Sequence, residues 1–256
     1  MVRLMSSKAK IRLYVEHPLG AAQRVPLSRE QAHYLFGVMR QGVGGHVALF
    51  NGSDGEWQAE VVEAGKRGGV LACRAQSAPQ VMPPDLWLLF APIKKARTDF
   101  IVEKAAEMGA ARILPVQTEF TNAERIRQDR LQAHAVEAAE QCGGVYVPPV
   151  DALQKLDKML TNWPEGRALI FCDEGLAGGS SPLAALLAGG RGEDIRKDGG
   201  AAILIGPEGG FSDAERTRLR AMPQAMPIAL GPRILRADTA TVAALTLFQI
   251  TRGDWG

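Results

Sequence analysis

Ala201-Ala202-Ile203-Leu204-Ile205, then Gly206-Pro207-Glu208-Gly209-Gly210-Phe211, then Ser212-Asp213-Ala214-Glu215, is the stretch on which the fold turns. Five consecutive apolar residues bounded by glycine predict a strand buried on both faces, the pattern of a parallel sheet covered by helices. Ser212 followed three residues later by Glu215 forms a capping box, so a helix starts there, over 213–221. Strand, tight glycine loop and capped helix are one unit of an alternating chain, and the same rhythm extends outward. Further strands are predicted at 86–91, 112–116, 168–172 and 228–230, with helices at 98–108, 123–141, 182–188 and 239–252. Such alternation defines an α/β domain with a doubly wound parallel sheet. The glycine-rich, charged stretch 189–200 offers little to bury and reads as a surface loop.

The front third has a different rhythm. Short strands are predicted at 11–15, 46–50, 56–63 and 70–75, and Asn51-Gly52 and Asp54-Gly55 supply hairpin-turn chemistry between two of them. One helix interrupts, opened by Ser28 with Gln31 three residues on. The proline-rich stretch Ala78-Pro79-Gln80-Val81-Met82-Pro83-Pro84 continues neither element type. The chain therefore divides into a small β-barrel-like domain at 1–78, a linker at 79–84 and the α/β domain at 85–256. Its 256 residues suit roughly 1.7 domains of average size.

Composition excludes several classes. Hydrophobic residues at 46% and charged residues at 23% are those of a packed globular protein. No apolar run reaches the roughly 18 to 20 residues that span a bilayer, and the first ten residues lack a signal peptide's apolar core, so a cytoplasmic protein is expected. Cys73, Cys142 and Cys172 lie far apart and read as reduced and structural. With His17, His33, His46 and His134 equally scattered, no metal-ligand spacing emerges and metal-independent chemistry is expected. Net charge is +2, but residues 1–82 hold 10 Lys and Arg against 6 Asp and Glu, whereas the remainder holds 20 against 22. The basic front is compatible with a phosphate-backbone partner and equally with a solvated surface.

Ligands of open parallel sheets bind beyond the carboxyl ends of the strands, which directs attention to two loops. Gly206–Phe211 is neither of the two common glycine-rich phosphate motifs, and Glu208 would repel a phosphate, so a neutral or cationic ligand suits it better. The alternative is a strand-to-helix turn whose glycines only satisfy backbone geometry. The second loop, Gly231-Pro232-Arg233-Ile234-Leu235-Arg236-Ala237-Asp238-Thr239-Ala240, repeats the Gly-Pro entry and places arginine at a helix start, against the helix dipole. Arg236 there calls for a carboxylate, which Asp238 could supply, or for an anionic ligand. A surface Arg236–Asp238 pair with Asp238 or Thr239 capping the helix is the structural alternative.

These two loops together, G-P-E-G-G-F-S-D-A-E and L-G-P-R-I-L-R-A-D-T-A, resemble the ribosomal RNA small subunit methyltransferase E family of the SPOUT superfamily. Further stretches match in order: Val38-Met39-Arg40 with 45–50, the segment 94–115, and 137–148. The resemblance covers nearly the whole chain. It implies a SPOUT-type trefoil-knotted parallel-sheet domain behind an N-terminal PUA-like β-barrel that helps hold RNA. It also implies a homodimer that transfers a methyl group from S-adenosyl-L-methionine to N3 of one uridine of 16S rRNA in the small ribosomal subunit. The knot is expected near the segments after Cys172, Ile205 and Leu230. Three positions depart from the family pattern: Asp238 stands for a usual glutamate, Gly144 for an arginine and Pro149 for an acidic residue.

On this resemblance, Arg236 is the candidate to stabilise a uracil anion, with Asp238 to orient it or to take the N3 proton. A carboxylate beside arginine is a weak base, which favours orientation and proton loss through water. Ile205, Gly206, Glu208, Gly210, Leu230, Gly231, Leu235 and Ala240 are the candidates for the cofactor, and Arg40, Lys94, Lys95 and Arg97 for RNA phosphates. The apolar last helix is compatible with a self-complementary interface. Two other classes fit the residues alone: a non-catalytic RNA-binding protein, and an α/β enzyme using another nucleotide ligand.

Overall fold

The structure, a computed structural model, describes residues 9–123, 125–178 and 200–256. The helix expected at 182–188, and 189–199 of the glycine-rich stretch, lie outside them. The chain forms two compact units, one of residues up to Met82 with Ala139–Val147, the other of Pro83–Ala138 with Pro148–Gly256.

In the first unit, β1 (Arg12–Tyr14), β2 (Arg24–Pro26), β3 (His46–Phe50), β4 (Glu56–Gly65) and β5 (Gly68–Ala78) form a sheet in the order β1-β3-β4-β5-β2. β1 runs parallel to β3 and the other neighbours are antiparallel. Helix α1 (Arg29–Ala32) starts at the expected capping box and continues as a π-helical turn, His33–Val38. One core unites them, with Leu13, Val25, Leu35, Leu49, Val61 and Leu71 buried. The link from β3 to β4 is a five-residue loop, not a two-residue turn. Its Asn51 Oδ1 accepts from Ser53 and Asp54 N–H, and Gly55 at φ 75° lies where a Cβ would strike the Ala78 carbonyl.

Arg12 explains why Ala139–Val147 packs with this unit although the sequence reading placed it in the second domain. Its guanidinium donates to Glu56 Oε2 at 2.7 Å and to the carbonyls of Ala139, Glu140 and Gly144 at 2.6, 3.0 and 2.7 Å, and lies over the Phe50 ring. One half-buried cation thus satisfies the carbonyls at a helix end.

The second unit is an all-parallel sheet in the order β11-β9-β10-β6-β7-β8. It comprises β6 (Leu86–Phe90), β7 (Arg112–Gln117), β8 (Gln154–Lys155), β9 (Ala168–Cys172), β10 (Ala201–Ile205) and β11 (Ala225–Ile228). Every residue of β10 is buried, as its apolar run predicts. The helices are α2 (Lys95–Glu107), α3 (Gln128–Cys142), α4 (Leu156–Thr161), α5 (Asp213–Ala221) and α6 (Ala237–Thr251), and α6 packs on α2 and β10.

The last strand precedes its expected position, so Leu230 belongs to the loop. Helix α2 begins three residues early, because the side chain of buried Thr98 bonds the Ile93 N–H and carbonyl and closes the first turn. Short β2, β8 and α4 were not expected. Among the described residues no helix is long and apolar enough to cross a membrane.

Candidate active site

β11, β9 and β10 are neighbours, so the loops leaving their carboxyl ends are neighbours too, and they enclose a cleft of about 580 Å³ counted to its open mouth. The loop after β10 contributes Ile205, Gly206, Glu208 and Gly210; the loop after β11 contributes Leu230, Gly231 and Leu235; and Ala240 comes from the second turn of α6. The structure therefore brings together all eight residues singled out for the cofactor. It adds Asp173 and Glu174 beyond β9, and Arg233. The two carboxylates are the residues that reasoning from motifs missed. Their signal was positional: they directly follow an apolar strand of a parallel sheet.

The glycine loop is shaped by what its glycines lack. A Cβ on Gly206 would lie 2.9 Å from the Phe211 ring, and Gly210 sits at φ 70°, with the place of a Cβ taken by Glu174 Oε1. Phe211 N–H donates to Glu174 Oε1, and Ser212 and Glu215 form the expected capping box. A left-handed conformation costs an L-residue about 1–2 kcal/mol, so Gly210→Ala is expected to destabilise by that much and to displace Glu174. Ligand titration should show the Kd of the small molecule held in the cleft raised about tenfold, and an unchanged Kd would show that loop shape does not set affinity.

Asp173 anchors the floor. Its side chain is fully buried and accepts from Arg220 Nη2 at 2.5 Å, Arg216 Nε at 3.3 Å and Gly175 N–H at 3.0 Å. Burial works to lower the Arg216 guanidinium, but Glu174 and Asp173 together hold it above its ordinary value. Cys172 lies beneath, and burial pushes its thiol up to about 12. A thiol so protonated is a poor nucleophile. Cys142, expected to be structural, is exposed, while Cys73 and Cys172 are buried. Alkylation of the native protein at pH 8 should accordingly label Cys142 first, as peptide mass spectrometry would show.

The Arg236–Asp238 pair, one of the two alternatives the sequence left open, does not form. Arg236 is the N-cap residue of α6, is exposed, and has no carboxylate in ion-pair reach among the described residues. Asp238 lies 3.7 Å from Arg97 Nε instead, and its Oδ1 accepts from Thr239 N–H. Neither Asp238 nor Thr239 caps the helix. Arg236 and Asp238 are not among the residues lining the cleft, although Leu235 and Ala237, on either side of Arg236, are. Lys94 is the N-cap residue of α2, and Lys95 and Arg97 lie in its first turn instead of a strand-end loop. Arg40 stands in the other unit, exposed, at a left-handed φ of 54°.

The departures at 144 and 149 carry no packing conflict. A Cβ on Gly144 would meet Cys142 Sγ at an ordinary 3.4 Å, and Pro149 offers its carbonyl to Ile113 N–H.

The cleft joins an apolar wall of Ile205, Ile228, Leu230 and Leu235 to carboxylates at Glu174 and Glu208. The apolar wall suits a flat heteroaromatic ring; Glu174 is already paired with Arg216, whereas Glu208 has no ion pair among the described residues and suits a positively charged centre, so the lining fits S-adenosylmethionine. A family model described as an RNA methyltransferase domain matches residues 81–249, and another, an RNA methyltransferase PUA domain, matches 27–71. Parallel sheet, three-loop cleft and these matches define the class, an RNA methyltransferase.

Ribosomal RNA small subunit methyltransferase E of Rickettsia conorii is 26% identical over 240 residues, 93% of this chain and 95% of that protein. The Synechocystis protein of the same name is 30% identical over 225 residues, 86% and 71% of the two chains. The Neisseria gonorrhoeae protein, in a crystal structure bound to S-adenosyl methionine, aligns with a TM-score of 0.83 at 25% identity, covering 96% of this chain and 99% of that one. This chain belongs to the ribosomal RNA small subunit methyltransferase E family.

Proposed function

We propose that this protein methylates N3 of one uridine in the 16S rRNA of the small ribosomal subunit, using S-adenosylmethionine, in the cytoplasm and as a homodimer. The observation that carries the reading is the convergence of the loops after β9, β10 and β11 on one apolar, acid-rimmed cleft, with the arginine-bearing start of α6 beside it. A trefoil threading of the chain through these loops is part of the reading.

When bound, S-adenosylmethionine supplies an electrophilic methyl group on a sulfonium, which needs no further activation. Ile205, Leu230 and Leu235 would hold its apolar part, with Glu208 and Glu174 facing positive charge. The remaining tasks fall to the chain. Uridine N3 carries a proton and becomes a competent nucleophile only as that proton leaves, so negative charge grows on the uracil. Arg236, free of an internal carboxylate among the described residues, stabilises that charge. Asp238, turned toward Arg97, holds the start of α6 to α2 and leaves Arg236 available; the N3 proton passes to water. The basic first unit, with Arg40, holds RNA so that a base is presented out of its stack.

Transfer of labelled methyl groups from S-adenosylmethionine to unmodified small subunits and to naked 16S RNA tests the reading. RNA-dependent incorporation is expected. Cofactor binding with no incorporation into either RNA would overturn it, and no cofactor binding would return the chain to the non-catalytic class.

A further inference from the structure

A second hollow lies in the second unit, between the loop after β6, the first turn of α2 and the start of α3. It measures about 730 Å³ counted to its mouth and shares no lining residue with the cleft. Ile93 and Leu131, both buried, form its floor, and its rim carries Lys95, Arg125, Arg127 and Arg130. Two of these charges are matched: Arg130 Nη2 meets Asp99 at 3.0 Å and Arg127 Nη2 meets Asp129 at 2.6 Å. Lys95 and Arg125 are exposed and have no carboxylate in ion-pair reach among the described residues. Among the described residues the hollow thus pairs an apolar floor with a mouth of four cations and one lining carboxylate, Asp99, the chemistry of a nucleotide whose base enters and whose phosphate stays at the rim.

Its position relates it to the reaction. β6 and β10 are paired in register, Phe90 opposite Ile205, so the loop leading into the hollow and the glycine loop leave the sheet side by side. Lys95 shares the first turn of α2 with Arg97, and Arg97 pairs with Asp238, two residues beyond Arg236.

We infer that this hollow is a subsite for a nucleotide of the substrate RNA flanking the target uridine, its phosphate held by Lys95 and Arg125 and its base against the floor. The inference rests on the proposed methylation of RNA, and it names the contact that fixes the strand beside the target base.

Two variants of the full-length protein test it. Lys95→Gln with Arg125→Gln removes the unmatched charge, and Ile126→Trp fills the hollow from a half-buried lining position without altering charge. Each is expected to raise the KM for 16S RNA, and the Kd for RNA retained on filters, about tenfold, with S-adenosylmethionine affinity unchanged. The double variant should also flatten the dependence of log affinity on log salt by about 0.7, the contribution of one neutralised single-strand phosphate. RNA affinity in both variants equal to that of the unsubstituted protein would overturn the subsite. So would a loss confined to the charge variant, which would mark general surface attraction. Filter retention needs no turnover, so failure of the unsubstituted protein to methylate RNA would remove the methyltransferase reading while the RNA-affinity comparison still decides the subsite.

Discussion

Arg236→Ala is expected to leave about one hundredth to one thousandth of the methyl-transfer rate, with S-adenosylmethionine Kd within a few-fold of the unsubstituted value. The magnitude is that of removing a charged donor aimed at charge that develops only in the transition state, about 3–4 kcal/mol. The structure sharpens the reason. Arg236 stands at the N-cap of α6, where the helix dipole disfavours a cation, and it has neither a cap bond nor an ion pair among the described residues. It therefore makes no identified contribution to folding, and an exposed cation held at an unfavourable point awaits an anion from outside. Arg233, three residues earlier, lines the cleft itself, so Arg233→Ala should weaken cofactor binding where Arg236→Ala does not. Steady-state kinetics with parallel cofactor titration separates the two. If Arg236→Ala abolished cofactor binding, the residue would be a ligand-holding one instead.

Asp173→Ala is expected to destabilise the second unit by about 1–3 kcal/mol, the usual consequence of leaving the partners of a buried acceptor unsatisfied when the arginines themselves reach solvent. The carboxylate is inaccessible to solvent and is shared between Arg216 and Arg220 of α5, with Gly175 N–H as a third donor. Its loss leaves the partly buried Arg216 guanidinium with Glu174 and Asp213 as neighbours and frees the loop after β9 from α5. Urea unfolding should show the lowered midpoint, and cofactor affinity should fall with it because Glu174 and Gly210 are positioned against each other. An unchanged midpoint would mean that solvent replaces the carboxylate without cost.

Much of the frame was legible because periodicity and glycine chemistry are local. The all-apolar run 201–205 and the capping boxes at Ser28 and Ser212 each encode their structure in a few consecutive residues, and each has the expected local form. What escaped is long-range or weakly encoded. The two-residue β8 and six-residue α4 are too short to show a period. Arg12 looks in sequence like any strand-edge cation, and only the fold reveals that it gathers three carbonyls more than 120 residues away. The acceptance of Asp238 by Arg97 instead of Arg236 follows from α2 and α6 packing together, information that neighbouring letters do not hold. Asp173 and Glu174 escaped because acidic residues after a strand read as an ordinary turn until three loops are seen to meet.

The central claim concerns which atom of which nucleoside is changed. The most direct measurement is mass-spectrometric identification of the methylated nucleoside released from 16S RNA after incubation with the protein and labelled S-adenosylmethionine. N3-methyluridine, formed at one position and lost with Arg236→Ala, is the predicted product. A ribose-methylated nucleoside, or a methylated base other than uracil, would contradict the account.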